Sequence, residues 1–199
     1  MTTKELIVRT ALKLFLQHGF HNTSMVMIAN MIGISKPAIY YHFKNKDEMV
    51  HGVLDYFTDK MGEWSSDYFQ PSNSAKEFFE KIFQALPVFM NVELILLEEK
   101  TEIYSYSYND LIEILSKYKP EFRKRISHDI LNIRKILEQK IIAAQEENLI
   151  RPDLQPSRLA VFIQTIIEGS VFICELDQKL NINFVSNDNF TILWKLIKK

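Results

Sequence analysis

Apolar residues recur along most of this chain at intervals of three and four, the period of one helical face. Leu6, Ile7, Ala11, Leu14 and Phe15 form the first such stripe, with Lys4, Arg9, Lys13 and Gln17 on the other side. Gly19 suits the position just past a helix end. Ser24 precedes a short run, Met25–Ile32, closed by Gly33, and Ser35 precedes another at 36–43. Lys46, Asp47 and Glu48 open a long helix toward Phe69, the two acids favourable at its positive N-terminal end. Pro71 breaks the chain, and Ser74 with Glu77 has the spacing of a capping box for a helix reaching about Met90.

Residues 92–104 are helical by period and strongly apolar. Tyr104, Tyr106 and Tyr108 alternate with serine, and with no partner strand elsewhere this segment reads as a helix end and loop. A short helix follows at 110–117, and Pro120 suits the first turn of a long one reaching about Asn148. Another runs from about 153–156 to about Leu180, and Asn187 or Asp188 caps the last, which ends at Lys199. The pattern predicts an all-α chain of about nine helices: an N-terminal three-helix head followed by a larger helical domain.

Residues 25–44 carry a mechanism of their own. Ala29 is small where two helices cross, Gly33 sits where the chain reverses, and Ile28, Ile32, Ile34 and Ile39 supply a core between them. Ser35 caps the second helix and Pro37 is tolerated in its first turn. Alanine, glycine and isoleucine at 29, 33 and 39 have the spacing of a DNA-binding helix-turn-helix. Lys36, Tyr40, Tyr41 and His42 then offer a cation, two phenol hydroxyls and a ring nitrogen within two turns. Those groups reach phosphates and base edges when such a helix lies in a major groove. Lys44 and Lys46 follow at a helix start, where free N–H groups also favour an anion. Phe43 falls on the apolar side and is expected in the core, while Tyr41 serves either role.

Composition changes this picture little, but charge distribution sharpens it. The 199 residues are 47% hydrophobic and 25% charged, with five Gly and six Pro, which excludes a disordered or linker-rich chain. Net charge is -1, yet residues 1–50 hold six Lys/Arg against three acids, and the rest holds 18 against 22. A basic head on an acidic body is the asymmetry expected when only the head meets a polyanion. A lone cysteine, Cys174, excludes an intrachain disulfide scaffold and a CxxC zinc site. The first residues do not read as a signal peptide. The stretch 159–176 is broken by Gln164, Thr165, Glu168 and Gly169, and is expected to be a buried helix rather than a membrane span. A soluble, cytoplasmic protein with no membrane contact is the expectation.

The run from Thr23 through Ser24, Ile28, Ala29, Gly33, Ile34, Ser35, Lys36, Ile39, Tyr40, Tyr41, His42, Phe43, Lys44 and Lys46 to Glu48 resembles the N-terminal signature of TetR-family transcriptional regulators. The resemblance covers about residues 5–52; beyond it only helix number and length agree. It implies a recognition helix at 36–43, with Lys36, Pro37, Ala38, Tyr40, Tyr41 and His42 at positions that commonly touch DNA. Ser35 caps that helix. Lys46 matches a recurrent phosphate contact, and Thr23 and Ser24 match hydroxyl residues capping the second helix near a phosphate. Relatives usually carry polar or basic residues where this chain has Val26 and Met27, so fewer phosphate contacts are expected there.

The resemblance further implies a DNA-binding domain at 1–46 and a ligand-binding and dimerisation domain at 47–199. The partners implied are a palindromic operator in double-stranded DNA, a second copy of the chain, and a small-molecule effector that releases the repressor. Trp64, Phe83, Phe89, Tyr104, Tyr108 and Phe122 are aromatic candidates for the chamber. Glu168, a carboxylate amid Ile166, Ile167, Val171 and Phe172, must be paired, protonated or exposed. It either faces a cavity and binds a cationic or donor effector, or pairs with a basic side chain between helices. Leu159, Phe162, Ile163, Ile166, Phe190 and Trp194 are candidates for the dimer interface. Helix 159–176 is apolar around most of its circumference and is expected to be covered on both sides, one by its own domain and the other by the equivalent helix of a second copy, the alternative being a single monomeric core. Two other readings stay open: a regulator controlled by a protein partner or acting as an activator, and a helical enzyme with a vestigial head. No cofactor, metal site or catalytic constellation is expected: no HExxH, GxSxG, P-loop or GxGxxG motif occurs. His18 and His21 are separated by a helix end, and Cys174 lies in an apolar helix.

Overall fold

Small polar side chains at helix starts set the frame of the fold in the computed structural model, which describes residues 2–68, 74–90, 112–113, 116–117, 120–177 and 179–199. Helix α1, Thr3–His18, opens on a reciprocal capping box between Thr2 and Glu5. Ser24 accepts from the Met27 N–H at 3.2 Å and starts α2, Met25–Ile32. Ser35 does the same for Ala38 at 3.3 Å and starts α3, Lys36–His42. At α4, Lys46–Tyr68, the Asn45 side chain accepts from Glu48 N–H, while the Glu48 carboxylate accepts from Lys44 N–H, both at 2.8 Å. Glu48 is thereby a structural residue at the helix entrance.

Two glycines let these short helices turn. Gly19 (φ 79°, ψ 158°) adopts a backbone that side chains rarely tolerate, and Gly33 (φ 74°, ψ 27°) is left-handed, its N–H returning to the end of α2.

The chain divides into two compact units, Met1–Asp67 with Asn91–Arg123, and Tyr68–Met90 with Lys124–Lys199. In the first, α1 packs on α2 and α2 on α3. The buried stripe of α1 is wider than the sequence period suggests, adding Val8, Leu12 and Leu16 to Ile7, Ala11, Leu14 and Phe15. Met49, Val50, Val53 and Phe57 bury the first turns of α4 in the same unit. Close approach is enforced at Gly52, where a Cβ would lie 2.9 Å from the Phe43 ring and 3.3 Å from Val8.

The second unit contains α5 (Ala75–Gln84), α6 (Leu86–Met90), most of α7 (Pro120–Glu146), α8 (Pro156–Leu176) and α9 (Ile182–Ile197). Ser74 caps α5 through the Glu77 N–H at 3.2 Å, as its spacing predicts. The single helix expected to reach Met90 is instead two, α5 and α6. Pro87 has no N–H to offer the Phe83 carbonyl, and the buried Ser186 hydroxyl of α9 donates to that oxygen instead. The last helix begins earlier than expected, with Asn181 as its cap accepting from Asn183 N–H at 2.9 Å. Asn148 turns in the left-handed region (φ 59°), and Leu149 and Arg151 exchange backbone hydrogen bonds with Lys199 and Ile197. That isolated antiparallel bridge is the nearest thing to a strand among the described residues. The segments expected at 92–104 and 104–108, and much of 110–117, lie outside the described residues.

Candidate nucleic-acid interface

Helix α3 has two unlike sides. Ile39, and Phe43 at its C-cap, are buried, which pins one side to the first unit's core. Lys36, Pro37, Tyr40 and Tyr41 are exposed on the other, with Ala38 and His42 half-buried. Tyr41 is the extreme case at 87% exposure, its ring meeting that of His42 edge-on with centroids 5.3 Å apart. A cation and two phenols are thus presented to solvent on a rigid helix, with the half-buried imidazole beside Tyr41. The Ser24 and Ser35 hydroxyls lie at the exposed N-termini of α2 and α3, where backbone N–H groups favour an anion.

Two expected phosphate contacts have structural duties. Thr23 is 1% exposed, and its hydroxyl lies 3.2 Å from the Leu14 carbonyl oxygen and 3.0 Å from that of Gly19. It ties the end of α1 to the start of α2 and does not face outward. Its neighbour Ser24 alone presents a hydroxyl at that corner. The Lys46 ammonium donates to the Phe20 carbonyl and sits 3.9 Å from the centre of the Phe20 ring. Burial lowers its pKa against the opposing pull of Asp47. An ammonium has three N–H donors, so one bond to Phe20 leaves others for an anion.

Lys4, which the sequence places only on the polar side of α1, stands 5.5 Å from the Phe43 ring centre and adds a cation beside α3. Only the folded helix crossing reveals it. Val26, Met27 and Met31 form an exposed apolar strip on α2, consistent with sparse phosphate contact there.

The effector candidates scatter. Phe122 is buried in the first unit with its ring 6.0 Å from that of Phe57, and Trp64 is half-buried. Phe83 is buried in the second unit's core, 5.9 Å from the Phe190 ring. Tyr104 and Tyr108 lie outside the described residues, as does the Phe89 side chain. A cleft of about 130 Å³ in the second unit is lined by Glu80, Phe83, Gln84, Pro87, Asn183, Ser186, Asn187 and Phe190. Phe83 is the one expected chamber residue among them.

Glu168 lies on α8 at the margin of an exposed apolar surface. The residue is open to solvent along one side, yet crowding on the other pushes its carboxyl above the usual range. Gln164, one turn away, is buried, accepts from Arg134 Nε at 2.9 Å and donates to the Ile130 carbonyl at 3.3 Å. An acid whose folded pKa is raised costs nothing while protonated in both states, and stability falls as pH climbs from 4.5 through the raised value. Glu168→Gln is therefore expected to flatten that decline and leave the neutral-pH protein at least as stable. Thermal midpoints from below pH 4.5 to neutrality test this; parallel curves for both proteins would refute it.

The dimer candidates divide. Leu159, Ile163 and Phe190 belong to the second unit's own core, and Ile166 and Trp194 are half-buried against it. Phe162 is exposed, together with Val161, Phe172, Ile173 and Leu176. Within the single chain, helix α8 buries one arc against its own unit and exposes the other. By length and apolarity it is a candidate membrane span, but 39% of its most apolar window is buried within the protein.

Comparison with known proteins decides the family. Residues 7–53 match the model of bacterial regulatory proteins of the tetR family, and residues 112–181 match the tetracyclin repressor-like C-terminal domain. The chain belongs to the TetR family. An uncharacterized HTH-type transcriptional regulator of Bacillus subtilis, YuxN, is 44% identical over 57 residues, 29% of this chain and 20% of that one. The first curated relatives are matched over only 19 to 31% of their length. The Escherichia coli HTH-type transcriptional repressor ComR is 25% identical over 160 residues, 80% of this chain and 73% of ComR. The fold is shared with a transcriptional regulator from Saccharomonospora viridis solved in complex with choline, with TM-score 0.73, 16% identity, and coverage of 98% of this chain and 97% of that one.

Proposed function

We propose that this TetR-family chain is a homodimeric transcriptional repressor, not an enzyme, which reads a palindromic operator with α3 and is released by a small molecule. The observation that carries the reading is the division of α3. Its buried side holds the helix rigidly, and Lys36, Tyr40 and Tyr41 stand exposed, with His42 half-buried beside Tyr41, at positions that the family resemblance assigns to DNA contact. Pro37, Ala38, the serine caps and Lys46 complete the contact surface, with Lys4 as an added cation. Residues 1–46 do the reading, and 47–199 carry effector binding and dimerisation. The exposed arc of α8 is the dimer face, and cytoplasmic DNA is the partner.

One head reads too few base pairs for useful specificity, so two copies spaced about one helical turn or more apart on a palindrome are required. The effector acts only by binding better to the arrangement that cannot span the half-sites. Selection of bound duplexes from a random DNA pool at two salt concentrations tests the reading. Enrichment of one palindrome is expected. Weak, salt-sensitive binding with no enriched sequence would mean phosphate contact alone and would overturn it.

A further inference from the structure

Two short stripes of residues face each other where the break between α5 and α6 meets the start of α9. Glu80, Phe83, Gln84 and Pro87 follow the helical spacing of three, four and seven. Asn183, Ser186, Asn187 and Phe190 repeat that spacing on α9. Such stripes are where paired helices ordinarily interlock apolar side chains. Here only Phe83 and Phe190 do so, their rings 5.9 Å apart, and the Ser186 hydroxyl is spent on the Phe83 carbonyl. The other positions carry Pro87, an acid and three amides, and the helices leave a cleft of about 130 Å³ between them.

The hydrogen-bonding capacity around that cleft is almost unspent. The Glu80 carboxylate is half-buried, and the bond it accepts comes from the Gln84 amide of its own helix at a long 3.5 Å. Lys81, next in the chain, is paired with Glu77 at 3.2 Å. Among the described residues, neither the Asn183 nor the Asn187 side chain bonds across the gap, and the lining holds no Lys, Arg or His. A carboxylate partly withdrawn from water is costly without a cation, and amide oxygens beside it are further acceptors. Phe83 and Phe190 supply a buried aromatic floor, a surface that also attracts positive charge.

We propose that this cleft binds a compact organic cation: an amidinium, guanidinium or protonated amine carried on a flat apolar body. The charged end meets Glu80 and the amide oxygens of Gln84, Asn183 and Asn187, and the body lies against the two rings. The volume sets the size of the guest, since a cavity of about 150 Å³ admits benzene. A molecule seated there touches α5, α6 and α9 at once and so staples the last helix to the break. The site goes beyond the operator reading and is independent of it: binding is measured on the free protein, and its failure leaves the role of α3 untouched.

Benzamidine, benzamide and benzoate share a shape and differ in charge, and isothermal titration of the full chain with each is the test. Benzamidine is expected to bind saturably and roughly tenfold more tightly than benzamide, the worth of its charge-assisted hydrogen bonds, with benzoate weakest. Glu80→Gln keeps the shape of the side chain and is expected to bring benzamidine down to the level of benzamide. Asn187→Leu, at an exposed position on the other wall, is expected to weaken benzamidine and benzamide alike by filling the mouth, and circular dichroism checks that both variants are folded. Equal affinity for all three compounds would mean an apolar crevice and would overturn the proposal. So would the absence of saturable binding, or benzamidine binding that survives both substitutions. Loss of binding in Glu168→Gln but not in Glu80→Gln would put the cation at that other acid and overturn it equally.

Discussion

Phe43→Ala is expected to destabilise the N-terminal unit by about 3–5 kcal/mol, while Tyr41→Ala, two residues away, leaves stability nearly unchanged and weakens operator binding instead. Phe43 is 2% exposed, and its ring fills the space where α4 comes close enough that only glycine fits at position 52. Deleting it opens a cavity under the whole of α3. Tyr41 is 87% exposed and touches little but the His42 ring. Its removal costs the folded state almost nothing. In the complex it is expected to cost about 1–3 kcal/mol, roughly 5- to 150-fold in Kd, whichever of phosphate or base edge it meets. Urea unfolding and fluorescence anisotropy on the selected duplex separate the two quantities. Unaltered affinity in Tyr41→Ala would remove the outer side of α3 from the reading surface.

Half of that division was legible in the sequence because it is local: Phe43 falls on the apolar side, whereas Tyr41 could serve either role until the fold exposed it. In a helix of seven residues pinned by Ile39 and Phe43, position 41 falls on the far side, while Lys36, three residues from Ile39 and seven from Phe43, is turned outward by the fold and not by spacing. The serine caps at 24, 35 and 74 were legible for the same reason, since each bonds an N–H three residues ahead. What the sequence misplaced depends on distant groups. Thr23 looks like an exposed cap beside Ser24, but the carbonyls of Leu14 and Gly19 lie close enough to take its hydroxyl inward. Asn187 and Asp188 look like a helix start because a polar run follows an apolar one. The run belongs inside α9, because Ser186 is drawn to a carbonyl 103 residues earlier that Pro87 cannot satisfy. Composition also cannot tell which arc of an apolar helix faces its own core, and so Leu159 and Ile163 were grouped with Phe162.

The same arc sets the largest expected loss of function. Phe172 is 55% exposed in the single chain, so Phe172→Glu removes little from the folding core. In the dimer two carboxylates would be brought to one apolar contact, where leaving a charge unpaired is far costlier than losing a ring. Dissociation to monomers is expected at concentrations where the parent chain is dimeric. Operator affinity then falls by more than the lost contact, because the second head no longer binds as a tethered neighbour. Loss of that effective concentration is worth about 10²- to 10⁴-fold. Ile163→Glu provides the contrast: a charge on the buried arc of the same helix should unfold the second unit outright. Sedimentation, circular dichroism and anisotropy on the selected duplex distinguish the cases. A Phe172→Glu protein that stays dimeric and binds as tightly as the parent would mean that the exposed arc of α8 serves another purpose, and the two-fold arrangement of the heads would have to be built elsewhere.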